Sequence, residues 1–255
     1  MHIDLQSVSK TFTDATEPLA ALAPTSLEIA SGEFVCLIGP SGCGKSTLLR
    51  MIADQIPPTS GRVLLDGATP ARARMRKQIA WMAQSPALLP WKTVIENVRI
   101  PQMVNRRYNH AAPDAESLLK TVRLSKFASA YPATLSGGMQ QRVALARALA
   151  TGAPLWLMDE SFAALDELTR EQLTEEVLAL WAAFAPTVLW VTHSIIEATR
   201  LGDRVVVMGG TPGEIRDVVT IDLPRPRDTT TVEMAAVIRR LRSLLRLTSP
   251  VLERD

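Results

Sequence analysis

Apolar and polar residues alternate from Ile3 through Leu5 and Val8 toward Phe12, the two-residue period of a strand with one face in water. A second strand is expected at residues 25–29. The next run, Glu33-Phe34-Val35-Cys36-Leu37-Ile38, is apolar at every position after the first, as a strand buried on both faces requires. A glycine-rich loop follows, then a helix over 46–54. Pro57, Pro58 and Gly61 mark a turn, with strands expected at 62–66 and 78–84. Between 86 and 150 the spacing becomes helical, most clearly at 113–124 and 139–150. Strands are expected at 155–158, 187–191 and 204–208, with helices at 168–185 and 195–200 between them. Leu223-Pro224-Arg225-Pro226-Arg227 breaks the pattern before a basic amphipathic tail helix at about 231–247. No internal repeat is present. Strands alternating with helices predict an α/β fold with a mostly parallel sheet and a helical insertion at about 86–150.

A length of 255 residues suits one domain spanning 1–255. Apolar residues at 47% and charged residues at 21% are ordinary for a chain with a sizeable core. A formal net charge of +2 does not suit a nucleic-acid binder that works by bulk electrostatics. Cys36 and Cys43 lie in a buried run and a glycine-rich loop, so no structural disulfide is expected, in keeping with a reducing compartment. The opening Met1-His2-Ile3-Asp4 lacks the basic start of a secretory signal. The most apolar stretch, 177–191, is divided by Pro186 and falls short of the roughly 20 residues of a membrane helix.

Three segments carry chemistry. In Gly39, Pro40, Ser41, Gly42, Cys43, Gly44, Lys45, Ser46 and Thr47, glycines let backbone N–H groups converge on phosphate oxygens at a helix N-terminus. Lys45 adds a mobile positive charge for the outer phosphates, and the Ser46 hydroxyl suits Mg²⁺. Leu155-Trp156-Leu157-Met158-Asp159-Glu160 is an apolar strand ending in two acids. Asp159 is placed to hold the metal, and Glu160 to polarise an attacking water. The third segment is Leu135-Ser136-Gly137-Gly138-Met139-Gln140-Gln141-Arg142. Ser136 can cap a helix whose first turn bears no side chains at its glycines, a second anion-binding helix start. A second such end suggests that it serves the nucleotide of another copy.

Taken together, these segments resemble the Walker A, Walker B and signature motifs of ABC transporter ATPases, and the likeness extends over nearly the whole chain. The resemblance implies a P-loop NTPase cassette with an N-terminal antiparallel β-subdomain, binding ATP and Mg²⁺. It implies that Phe12 stacks on adenine and that Gln140 lies with Ser136, Gly137 and Gly138 at the nucleotide. Gln84 takes the Q-loop position, linking Mg²⁺ and water to a membrane partner. Ala164-Leu165-Asp166 takes the D-loop position, and His193 that of the switch histidine on the γ-phosphate.

Met82 to Trp91, Thr93 to Val98 and Asp222 to Asp228 resemble the nitrate, sulfonate and taurine importer branch. In that branch Leu88, Leu89 and Trp91 would line a groove for a permease helix. The resemblance therefore implies a homodimer of cassettes with an integral-membrane permease and, indirectly, a solute-binding protein. It implies a peripheral position on the cytoplasmic side of the bacterial inner membrane, with no nucleic-acid partner. The solute stays open among nitrate, sulfonates, taurine and pyrimidine-type precursors. The chain departs from the family at Ser161, Ser194 and Ala163, and Ser161, replacing a common proline, is expected to loosen the catalytic turn. Cys43 is expected to make the ATPase sensitive to thiol alkylation, with nucleotide shielding it.

Overall fold

The computed structural model describes residues 1–13, 17–105, 113–162 and 165–248. The D-loop position Ala164 and the departure at Ala163 lie outside the described residues. Strands run β1 (Ile3–Phe12), β2 (Leu19–Ile29), β3 (Phe34–Ile38), β4 (Ser60–Leu65), β5 (Ile79–Met82), β6 (Leu155–Asp159), β7 (Thr187–Val191), β8 (Arg204–Gly209) and β9 (Glu214–Thr220). Helices are α1 (Lys45–Ile52), α2 (Pro70–Met75), α3 (Val94–Val104), α4 (Ala115–Thr121), α5 (Gly137–Leu149), α6 (Glu167–Phe184), α7 (Ile195–Leu201) and α8 (Val232–Thr248).

Strands β2-β1-β4 make an antiparallel sheet, and β5-β6-β7-β3-β8-β9 a second sheet. In the second sheet β5, β6, β7, β3 and β8 are parallel, and β9 returns antiparallel to β8. Each parallel strand divides its side chains between two cores, as the two-residue period demands. Phe34, Cys36 and Ile38 face one cluster with Trp156, Met158, Val188 and Trp190, together with the interiors of α5 and α6. Val35 and Leu37 face the other with Leu155, Leu157, Leu189 and Val191, covered by α1 and the antiparallel sheet.

Several elements differ from the sequence expectation. Strand β2 starts at Leu19, ahead of residue 25, and pairs with β1 through irregularities between Leu5 and Thr11. Strand β9 and helix α2 were not expected; α2 has Thr69 as N-cap and Pro70 in its first turn, where a missing N–H costs nothing. Helix α5 begins at Gly137 rather than 139, where the Ser136 cap expected from the sequence places it, with Ser136 Oγ accepting from the Met139 N–H at 3.3 Å. Helix α4 is only Ala115–Thr121, with Asp114 as its N-cap.

Candidate functional site

Parallel strands deliver their C-terminal ends to one edge, and at that edge the motif residues gather. The loop after β3 reaches α1 through Gly44 at φ 86, a left-handed conformation that favours glycine. The loop is boxed in tightly. A Cβ on Gly39 would lie 2.4 Å from the Met208 carbonyl oxygen, and one on Gly44 would lie 2.8 Å from that of Ala21. Lys45 is buried, and its Nζ donates to the carbonyls of Gly39 at 2.8 Å and Pro40 at 2.9 Å. Its third donor meets only the Cys43 Sγ at 3.9 Å, a weak acceptor that an anionic oxygen can displace, so the loop holds the charge in place for phosphate.

Ser46 Oγ donates to Asp159 Oδ1 at 2.9 Å, joining the phosphate loop to the end of the acidic strand. Burial raises the Asp159 carboxyl, while the Ser46 hydrogen bond opposes the rise. Among the described residues no group of three or more His, Cys, Asp or Glu is arranged to hold a metal. A hydroxyl beside a carboxylate nevertheless suits Mg²⁺, a hard cation that takes its remaining ligands from phosphate and water.

Glu160 follows β6 at φ 48, an unusual backbone for a non-glycine residue, and its N–H donates to the Val191 carbonyl at 3.1 Å. That bond aims the side chain across the end of β7, where His193 Nε2 meets Glu160 Oε1 at 2.5 Å. Ser41, Gly42, Gly44, Lys45, Ser46, Thr47 and Glu160 line one cleft of about 180 Å³. The structure thus joins the phosphate loop, Asp159, Glu160 and His193, which sequence reasoning had linked only by motif.

The remaining expected residues are arranged differently. Phe12 is half-buried at the end of β1, paired with Leu19, and carries Lys10 Nζ 5.1 Å from its ring centre. Gln84 is exposed and is not among the residues lining the phosphate-loop cleft; its carbonyl accepts from Gln141 Nε2 at 2.8 Å. Gln140 turns back to the Pro132 carbonyl at 3.0 Å. Ser136, Gly138, Met139, Arg142, Leu165, Asp166 and Thr169 line a separate concavity of about 360 Å³. Asp166 caps α6 by accepting from the Thr169 N–H at 2.9 Å, which holds its carboxyl below the usual carboxylate range.

Ser161, expected to loosen its turn, is wholly buried, with its hydroxyl 3.5 Å from the Met82 carbonyl of neighbouring β5. Cys43 is only 1% exposed, and burial raises its thiol against the pull of Lys45, which disfavours the thiolate that alkylation needs. Sequence reasoning also passed over the residues that hold the loop 84–93. Arg147 of α5 donates to the carbonyls of Pro86 at 2.5 Å and Ala87 at 2.8 Å. The amide of buried Asn97 satisfies Leu89 on both its N–H and its carbonyl, plus the carbonyls of Lys92 and Thr93. Trp91 projects beyond this scaffold at 70% exposure, with Leu88 and Leu89 half-buried behind it.

Comparison with known proteins agrees with this geometry. The family model described as "ABC transporter" matches residues 22–163. An uncharacterized ABC transporter ATP-binding protein of Methanocaldococcus jannaschii is 42% identical over 247 residues, 96% of this chain and 92% of its own length. The aliphatic sulfonates import ATP-binding protein SsuB of Bacillus cereus is 38% identical over 90% of each chain. The nitrate import ATP-binding protein NrtD of Synechococcus elongatus is 40% identical over 89% of this chain and 83% of its own. Among solved structures, the ATP-binding cassette MJ0796, described as a dimeric post-hydrolysis state bound to ADP and Pi, superposes with a TM-score of 0.77. It is 35% identical and covers 87% of this chain and 100% of its own. With the phosphate loop, the paired acids, His193 and the capped glycine helix on one α/β frame, the chain belongs to the ABC transporter family as one of its ATP-hydrolysing cassettes.

Proposed function

We propose that this cassette is the energising subunit of an importer for a small anion, with nitrate, sulfonates and taurine as the solute classes. It works as a homodimer against integral-membrane permease subunits on the cytoplasmic face of a bacterial inner membrane, served indirectly by a solute-binding protein. The solute class rests on the sulfonate and nitrate import relatives. Peripheral attachment accords with the finding that, among the described residues, no helix is long and apolar enough to cross a membrane.

One observation carries the dimer reading. The cleft at the start of α1 and the concavity at the start of α5 share no lining residue, yet both are polar helix N-termini suited to phosphate. Two copies arranged head to tail bring Gly39–Thr47 of one against Ser136–Gly138 of the other across a single ATP. Binding that favours the closed pair shifts the population toward it. Within that pair the backbone of the phosphate loop and Lys45 cradle the β- and γ-phosphates, and Phe12 stacks on the adenine. Mg²⁺, held by Ser46 and Asp159, would neutralise charge on the phosphate oxygens. Glu160 accepts a hydrogen bond from the attacking water and orients it, while His193 contacts the γ-phosphate. Water attacks phosphorus in line, the bond to the bridging oxygen breaks, and ADP and inorganic phosphate are released. Asp166 communicates between the copies. Gln84 and the groove at Leu88, Leu89 and Trp91 transmit closure to the permease through a helical segment at about 86–150.

The test is Glu160→Gln in the full chain. It should still bind ATP and sediment as an ATP-dependent dimer while losing most turnover. Full retained hydrolysis, or single subunits at saturating ATP, would refute the assignment.

A further inference from the structure

Glu197 is a buried carboxyl that the mechanism above does not use. It is the third residue of α7 and is 5% exposed. The sequence Ser194-Ile195-Ile196-Glu197 has the form of a capping box, in which the glutamate would turn back to the N-cap N–H. Here the Ser194 N–H donates instead to Thr192 Oγ1 at 3.0 Å, and Glu197 turns inward. Its Oε1 accepts from Trp190 Nε1 at 2.5 Å, and its Oε2 accepts from Thr192 Oγ1 at 3.0 Å.

Each donor leads to one catalytic turn. Thr192 precedes His193, and its hydroxyl, bonded both to Glu197 and to the Ser194 N–H, fixes the backbone on both sides of the histidine. Ser194 Oγ in turn accepts from the Glu197 N–H at 3.2 Å, closing the ring. Trp190 packs edge-on against Phe162, centroids 4.9 Å apart at 73°. Phe162 lies two residues after Glu160, and the two line a single cleft of about 440 Å³ with Thr192, His193 and Glu197. We propose that Glu197 is a positioning residue for ATP hydrolysis, one carboxylate that fixes the His193 turn through Thr192 and the Glu160 turn through Trp190 and Phe162. The inference rests on the reading that Glu160 and His193 act on ATP.

Burial raises this carboxyl to about 7, against the pull of its two hydrogen bonds and of Arg170. Charged and titratable neighbours come from several elements. Arg170 of α6 is the favourable charge, although its guanidinium is tied to the carbonyls of Phe162 and Leu165. Glu160 and His193 face it across the cleft, and the buried Cys36 thiol of β3 feels its charge. Outside, Arg200 pairs with Glu171 at 3.1 Å, close to Glu167, while Arg225 and Arg227 bond carbonyls at the far end of α7. Helix α8 buries Met234, Ile238 and Leu241. Protonation turns one carboxyl oxygen into a donor and weakens its acceptance from Thr192 or Trp190, so turnover should fall as pH drops through the region near 7.

The test compares Glu197→Gln, Thr192→Val and Thr192→Ser with wild type and Glu160→Gln, all as full chains. Glu197→Gln and Thr192→Val should lower kcat by roughly 10- to 100-fold with KM and ATP-driven dimerisation unchanged, the cost of slight misplacement at a reacting centre. Thr192→Ser, which keeps the hydroxyl, should restore turnover. The acidic limb of the wild-type kcat profile should be absent in Glu197→Gln. If that variant does not fold, the contrast between Thr192→Val and Thr192→Ser decides. Wild-type turnover in Thr192→Val or Glu197→Gln, or equal losses in ATP binding and kcat, would overturn the proposal. If Glu160→Gln itself hydrolyses ATP fully, the underlying catalytic reading fails instead.

Discussion

Gly213 lies in the connection between β8 and β9, 170 residues from Cys43 in sequence (213 − 43) yet against it in space. A Cβ built at Gly213 would stand 2.0 Å from the Cys43 carbonyl oxygen, where contacts under 3.0 Å are essentially never found. Gly213→Ala must therefore open a gap of about 1 Å (3.0 − 2.0). The obstructing atom is main chain, so no rotamer change relieves it; either the phosphate loop or the β8–β9 turn must move. Overpacking of this kind costs roughly 1–3 kcal/mol in stability. A displacement near 1 Å in groups that must meet phosphate oxygens costs on the order of 100-fold in function. Gly67→Ala is the control: φ is 72 there, but nothing lies within 4 Å. That change should cost only the left-handed backbone, roughly 1 kcal/mol, with ATP affinity untouched. Titration with a fluorescent ATP analogue and urea unfolding of both variants separate the effects. Wild-type ATP affinity and turnover in Gly213→Ala would show that the loop does not depend on this contact.

Other consequences can be measured as directly. Because the Glu197 carboxyl rises from its ordinary 4.5 to about 7 in the fold, the folded state binds its proton more tightly than the unfolded chain. Its burial penalty is absent below the unfolded value, grows as pH rises between the two, and is complete above about 7. A shift of that size is on the order of 3 kcal/mol, so the stability difference between Glu197→Gln and wild type should move in favour of the variant from pH 4.5 to 7.5. A difference independent of pH in urea unfolding would contradict this. Cys43 should react slowly with iodoacetamide at neutral pH in the native chain and quickly in urea; fast native alkylation with loss of ATPase would contradict its burial. Arg147→Ala should leave basal ATPase near wild type while weakening coupling to a reconstituted permease, and normal stimulated transport would count against a role for that clamp.

The elements that were legible in sequence are those with a local physical signature. Residues 34–38 announce a doubly buried strand, and the phosphate loop announces itself by glycines before a Lys-Ser-Thr helix start. What escaped detection depends on partners far away in the chain. Strand β9 carries Glu214, Arg216 and Asp217 on a short sheet edge, so it has no strong apolar run, and it becomes a strand because β8 offers it a ladder. The first half of β2 is rich in alanine with Pro24, a poor strand composition that pairing with β1 overrides. Helix α2 is missing from the sequence expectation although its signal is local, Thr69-Pro70 being an N-cap followed by a first-turn proline. Nothing in the local sequence distinguishes Glu197 from a solvated helix-start acid, and only the inward turn onto Trp190 and Thr192 reveals its burial. Gln84 was named from its position, but its exposed side chain and its bonded carbonyl are facts of the fold.

The loop from Gln84 to Thr93 is gripped by Gln141, Arg147 and Asn97, and in every case the grip falls on peptide groups of the loop. Every residue type offers the same carbonyl. Side chains from 85 to 92 can therefore diverge to suit a new membrane partner without slackening these bonds, provided residue 89 keeps its N–H for Asn97 and Thr93 keeps its cap on α3. Paralogues could in this way inherit one transmission and vary only its teeth.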